Sequence, residues 1–396
     1  MTDVVITAVA RTPFGRFGGA LANLSTPQLG AIAIDRLLER SGVPAGEIHA
    51  LYGGVGMMAG GTITPVRQAV LMSALPETVP SLMVDRACCS GMTAIGLAYK
   101  DILSGAGHTL ICGGFEVLSQ TPRLSPRSNA KIGAVMLDDP LLLKAPVVDR
   151  QIAVYTGDEA LMHGVTREAQ DAWAVASHNR YQEADSRGFF AFERMPIEAP
   201  GAKGAISTIE RDESPRKDSA IETLATLPTI YGSKTVTAGN APGLNDGAAL
   251  LLLSEADRAY ATGLQPLARI LSYAQVAGGR TSGVTTPAMA IHAALDRCGL
   301  DLDAIDLFEI NEAYAATPLV STLLLAAGNE KYAISLRART NINGGAVAIG
   351  HPVGASGARL VMTLIAALRQ RGGGRGAAAI CGGFGQGDAV IIEVDG

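Results

Sequence analysis

Residues 4–10, VVITAVA, are apolar at nearly every position, whereas residues 33–40 place apolar side chains in a helical rhythm. The first pattern suits a strand covered on both faces, the second an amphipathic helix. The helical stretch continues through a Gly turn and a short acidic segment into another apolar strand. This whole run, AIDRLLERSGVPAGEIHALY at 33–52, aligns without gaps with AIHAALDRCGLDLDAIDLFE at 290–309. Ala33, Ile34, Leu38, Arg40 and Gly42 recur as Ala290, Ile291, Leu295, Arg297 and Gly299.

The parallel extends further. VPSLMVDR reads as a strand before a helix over Cys88–Leu103, followed by the strand TLICGG. In the second half, ISLRART and AVAIG precede a helix near Ala358–Arg371, then the strand AAAICGG. The pentapeptide ICGGF therefore stands at 111–115 and again at 380–384. Two similar α/β halves are predicted, 1–119 with 246–265 and 266–396.

Residues 120–245 break the repeat and read as an insertion carried by the first half. They include TPRLSPRSNA, the polar run ERDESPRKD and the helical segment REAQDAWAVASHNRYQEAD. That helix is expected to turn Ala172, Val175 and Ala176 to the core. Trp173 is either an anchor for the insertion or ordinary packing.

Composition narrows the class. The 396 residues are 48% hydrophobic and 17% charged, as in a compact globular protein. A net charge of −5 without a basic tract points away from nucleic acid. Five cysteines without a CxxC pair suit neither a disulfide framework nor a zinc site, and a reducing, cytoplasmic setting is expected. No apolar run is long and clean enough to insert into a membrane.

Cys88 and Cys89 fall where a strand meets a helix. Helix N–H groups there are expected to lower a thiol pKa and to stabilise an oxyanion; an inert buried thiol is the other reading. His351 sits in GHPVGASG, a turn shaped by backbone, and is the best-placed base. No second ligand stands at metal spacing from it. Cys381 opens CGGFGQG, whose glycines admit a ligand to the backbone, while Cys112 in the first copy reads as structural. GGFGQG lacks the strand–helix context of a dinucleotide fingerprint. Asn311 and Glu312 follow the strand IDLFEI, and TAGNAPGLNDGA at 237–248 is either a site loop or a plain turn.

In order along the chain, ARTPFGRFGG, CCSGM, TAGNAPGLNDGA, NEAYA, GHPVGASG and CGGFGQG together resemble the thiolase family. The resemblance implies a five-layer αβαβα fold of two duplicated halves with an inserted loop domain. It also implies an acyl-CoA:acetyl-CoA C-acyltransferase that thiolytically cleaves 3-oxoacyl-CoA or runs the reverse Claisen condensation. Cys88 matches the nucleophile, His351 the group that activates it, Cys381 the acid/base and Asn311 the holder of an oxyanion-hole water. The backbone N–H groups of Cys88 and Gly383 match a second oxyanion hole. Coenzyme A and acyl-CoA are implied as substrates, with no metal and no tightly bound cofactor, in a homodimer or homotetramer.

Ten further positions are candidates for contact with CoA or substrate: Gln151, Ile152, Arg211, Arg216, Lys217, Ile230, Ala238, Pro242, Ala313 and Tyr314. For Arg211, Arg216 and Lys217 a solvated surface run is the alternative. Several positions depart from the family pattern. Asp85 stands for the usual Asn, Pro242 for a Ser beside pantetheine, and Ile230 for a common Phe. Gln151, Ile152 and Ala153 stand where the short-chain biosynthetic members have a His-Met-Gly run, Tyr314 replaces the Phe of NEAFA, and Phe384 interrupts a glycine triplet. An altered acyl pocket is expected. A ketoacyl-synthase-like condensing enzyme and a non-catalytic acyl-CoA- or lipid-binding homologue are the competing readings; retention of Cys88, His351, Asn311 and Cys381 favours thiolase.

Overall fold

The computed structural model describes residues 3–58, 62–125, 137–145, 147–201 and 204–396. The first half contains β1 (Val4–Arg11), α1 (Thr26–Ser41), β2 (Ala50–Gly54), β3 (Ser81–Val84), α2 (Ser90–Ser104) and β4 (Thr109–Val117). The excursion carries α3 (Ile152–Met162) and α4 (Arg167–Ser186), and the chain returns as β5 (Asn245–Glu255). The second half contains β6 (Ala268–Ala277), α5 (Thr286–Cys298), β7 (Leu307–Ile310), α6 (Ser356–Gln370), β8 (Gly374–Gly382) and β9 (Gln386–Val394).

The strands run β7-β8-β9-β6-β1-β5-β4-β2-β3. Read outward from the middle, β1-β5-β4-β2 and β6-β9-β8-β7 are the same order, with the same alternation of antiparallel and parallel pairs. Even β3 has an echo, a single parallel bridge between Phe308 and Thr340. The halves meet where Val5 pairs with Arg269 and Ile6 with Ala268.

Local chemistry explains the matching helices. Ser25 caps α1, its hydroxyl accepting from the Gln28 N–H while the Gln28 side chain accepts from the Ser25 N–H at 2.8 Å. Both α1 and α5 stop at a left-handed glycine, Gly42 and Gly299, each at φ 66°.

Three apolar cores define the layers. Leu29, Ile34 and Leu37 of α1 pack on Phe115 and Leu250 at one outer face. Ile291 and Leu295 of α5 pack on Ile391 at the other. Between the sheet halves, Met92 and Ile95 of α2 join Leu360 and Leu364 of α6. The result is the αβαβα sandwich, with β1 buried along its whole length as a doubly covered strand requires.

The insertion corrects one expectation. Ala172 is exposed, and Val175 and Ala176 are only half-buried. The inward face of α4 carries Asp171, Trp173, Ser177 and His178 instead. Polar groups are tolerated there because each finds a partner. Asp171 accepts from Asn240 Nδ2 at 2.8 Å, and Ser177 donates to Glu312 at 2.7 Å. His178 Nδ1 accepts from the Arg216 N–H at 3.2 Å. Trp173 is an anchor: its indole N–H donates to Glu312 Oε1 at 2.8 Å, tying the insertion to the second half. The part of TPRLSPRSNA beyond residue 125 lies outside the described residues.

Candidate active site

Cys88 is delivered by a strained turn. The preceding Ala87 sits at φ 49°, and the Asp85 carboxylate accepts from its N–H at 3.0 Å. Asp85 thus performs the turn-closing task an Asn would perform. The helix behind it starts at Ser90, with Cys89 as its N-cap.

Glycines let three backbones converge on this turn. A Cβ on Gly114 would stand 2.1 Å from the Gly354 carbonyl oxygen, and one on Gly91 would stand 2.4 Å from the same atom. The glycines of the first ICGGF copy therefore allow β4 to touch the loop that follows His351. Glu116, two residues on, holds that loop. Its Oε2 accepts from Gly354 N–H at 3.0 Å and Gly56 N–H at 2.8 Å, and its Oε1 from Met57 N–H at 3.4 Å.

His351 Nε2 lies 3.2 Å from Cys88 Sγ. Its Nδ1 lies 2.6 Å from Ser356 Oγ, and that hydroxyl donates to the Pro352 carbonyl at 2.8 Å. Ser356 has one proton to give, and Pro352 takes it. Nδ1 must then carry the ring proton, leaving the Nε2 lone pair facing the thiol. The His351 backbone is fixed by its N–H donating to Asn245 Oδ1 at 3.0 Å.

Electrostatics correct the thiolate expectation. Burial pushes the Cys88 thiol up to about 12, with the Glu116 charge adding to it and the residue's own N–H opposing it. Burial pulls His351 down to about 4, assisted by Arg359. Desolvation outweighs the helix N-terminus, so the resting pair is a neutral thiol beside a neutral imidazole.

Cys381 is the penultimate residue of β8, is buried, and has its pKa raised chiefly by burial and next by Cys88. A charged clamp joins its hairpin to the Cys88 turn. Arg86 pairs with Asp388, which also accepts from Thr93 Oγ1 at 2.5 Å and Tyr273 OH at 2.7 Å. Arg86 Nε donates to Gln386 Oε1 at 2.8 Å.

Cys88, His351, Cys381 and Gly383 line one cavity of about 370 Å³. Gln151, Ile152, Ile230, Pro242, Ala313 and Tyr314 line it too. Arg211, Arg216, Lys217 and Ala238 are exposed and lie outside this lining. The buried Asp212, which accepts from Arg11 at 2.7 Å, pulls its own position inward and leaves Arg211 and Arg216 facing outward. Asn311 is also outside the lining; its amide is fully buried, and among the described residues neither its oxygen nor its nitrogen has a partner. A buried orphan amide of this kind is a fitting seat for water. Among the described residues, no group of three or more His, Cys, Asp or Glu side chains could hold a metal. No helix of the described residues is long and apolar enough to cross a membrane.

Ser356, Asn245, Glu116 and the Arg86–Asp388 clamp were not singled out by sequence. Ser356 and Asn245 stand inside recognisable strings, but nothing local marks Asp388, whose partner Arg86 is 302 positions away.

A half-buried cysteine paired with a correctly oriented histidine, with a second cysteine on the same cavity, defines a thiol-dependent acyl-transferring site on a duplicated αβαβα scaffold. Family models place it further: the thiolase N-terminal domain matches residues 4–257 and the thiolase C-terminal domain residues 264–394. The chain belongs to the thiolase family. It is 39% identical to an acetyl-CoA acetyltransferase of Pseudomonas aeruginosa, across all of both chains. It is 38% identical to a beta-ketoadipyl-CoA thiolase of the same organism, covering 99% of each. Among solved structures, an acetyl-CoA acetyltransferase of Bacillus anthracis superposes with TM-score 0.93 at 34% identity, covering 100% of this chain and 99% of that one. Human mitochondrial 3-ketoacyl-CoA thiolase superposes with TM-score 0.91 at 32% identity, over 99% of each chain.

Proposed function

We propose that this protein is an acyl-CoA:acetyl-CoA C-acyltransferase working through a Cys88 acyl-enzyme. The observation that carries the proposal is the 3.2 Å approach of His351 Nε2 to Cys88 Sγ, with Nδ1 committed to Ser356. Nε2 accepts the thiol proton as sulfur attacks the 3-oxo carbon of a 3-oxoacyl-CoA. Because both groups rest neutral, proton transfer and attack are coupled. The tetrahedral adduct collapses with cleavage of the C2–C3 bond, and the electron pair goes to an acetyl-CoA enolate. The Cys381 S–H protonates C2, releasing acetyl-CoA.

Free CoA then attacks the Cys88 thioester and leaves as the shortened acyl-CoA. Its thiol proton replaces the one given to C2, so Cys88, His351 and Cys381 return to their starting states. The N–H groups of Cys88 and Gly383, and a water on the Asn311 amide, serve the oxyanions. The sequence calls for no metal or tightly bound cofactor, since a thioester acidifies its own α-carbon. Five free cysteines suit a reducing compartment, and the family resemblance supports a homodimer or homotetramer.

Incubation with a 3-oxoacyl-CoA, followed by intact-protein mass spectrometry, tests the reading. Wild type should gain one acyl mass and Cys88→Ala none. Cys381→Ala should still be acylated by a simple acyl-CoA while losing condensation and α-proton exchange. Unchanged turnover in Cys88→Ala would sink the mechanism.

A further inference from the structure

Two tyrosines share the cavity of the reactive cysteines, and among the described residues their hydroxyls have no protein partner. Tyr155, on α3, is only 4% exposed and lines the cavity. Tyr314, half-buried, lines it as well. Among the described residues neither hydroxyl makes a hydrogen bond. Burial, above all, raises both above the ordinary tyrosine range, so both hydroxyls keep their protons. Both rings thus belong to the wall of the cavity that holds Cys88 and Cys381.

The cavity wall also carries the aliphatic Leu141, Leu142, Ile152 and Val353, with Tyr231 and Thr317 as further hydroxyl-bearing residues. A plain alkyl chain that expels water from this space strands both hydroxyls, which is unfavourable for a buried polar group. An oxygen on the acyl chain gives them a partner. A carboxylate is not the match: among the described residues Lys144 is the one ammonium lining the cavity, and it already pairs with Asp149 at 2.5 Å.

We infer that Tyr155 and Tyr314 are specificity-determining residues that select neutral 3-oxoacyl-CoA thioesters bearing a hydroxyl or carbonyl oxygen beyond C3. The inference rests on the thiolase reading and names its substrate class. Tyr314 stands where the family usually carries Phe, so this hydroxyl is an addition to the shared machinery.

The experiment compares kcat/KM for 3-oxooctanoyl-CoA, a chain-hydroxylated 3-oxooctanoyl-CoA and 3-oxoadipyl-CoA, reading acetyl-CoA release. Wild type, Tyr155→Phe, Tyr314→Phe and the double variant are assayed in parallel. Circular dichroism and an unchanged urea midpoint confirm that each variant is folded. Wild type should prefer the hydroxylated chain over both others. The hydroxylated-to-plain ratio should fall at least about tenfold in the double variant. A wild type that treats hydroxylated and plain chains alike overturns the inference. So does a ratio unchanged in the double variant, or an equal fall in kcat on every substrate, which would put the hydroxyls on the reacting carbonyl. Failure of wild type to release acetyl-CoA from any substrate would instead overturn the thiolase reading itself.

Discussion

Replacing Glu116 with Gln isolates the group that braces the His351 loop. Burial pushes this carboxyl from 4.5 up to about 7, with Asp85 adding to the rise and three backbone N–H groups opposing it. Each tenfold change in proton affinity is about 1.4 kcal/mol, so ionised Glu116 costs the fold about 3 kcal/mol relative to its protonated form. The sign follows from proton counts. Between about pH 4.5 and pH 7 the folded chain holds a proton that the unfolded chain has released, so this contribution to stability falls as pH rises. Gln cannot titrate. With its oxygen in the place of Oε2 it keeps the bonds from Gly56 at 2.8 Å and Gly354 at 3.0 Å, and loses only the 3.4 Å contact to Met57. Urea unfolding of both proteins under reversible conditions, at about pH 4.5 and about pH 8, provides the assay. The stability of Glu116→Gln minus that of wild type should grow by about 3 kcal/mol toward the higher pH. A difference that stays flat with pH, or moves the other way, refutes the claim that Glu116 is buried at a cost.

Phe384 lines the cavity at φ 62°, a conformation disfavoured for a residue with a Cβ. Phe384→Gly should hold stability or raise it by about 1 kcal/mol while KM for acyl-CoA increases; lost stability with unchanged KM would show that the ring only packs. Trp173→Phe keeps the ring but removes the 2.8 Å bond to Glu312, and should cost roughly 1.5–3 kcal/mol in denaturant unfolding. An unchanged midpoint would show that Trp173 is packing and not an anchor.

The duplication was legible because its marks are local: matched helical rhythm, left-handed glycines at 42 and 299, and two copies of ICGGF. The candidates Cys88, His351 and Cys381, which the fold brings to one cavity, stood out for the same reason, each lying inside a distinctive string. What escaped was set by burial and by partners far along the chain. The pKa of Cys88 could not be read from its place before a helix, because desolvation depends on everything packed around it. The inward face of α4 was misread because Ser177 and Trp173 are polar or large, and their partner Glu312 lies in the other half. The tautomer of His351 hangs on one further bond, from Ser356 to Pro352. The two ICGGF copies show how far a shared string can carry. In the first, Cys112 is wholly buried in the sheet, and the residue after the motif is Glu116, which turns inward to hold the His351 loop. In the second, the strand ends at Gly382 and the motif spills into the cavity, exposing Cys381, Gly383 and Phe384 to ligand. The same five residues lead into a brace for the site in one half and face the ligand in the other, and the difference lies in where each strand stops.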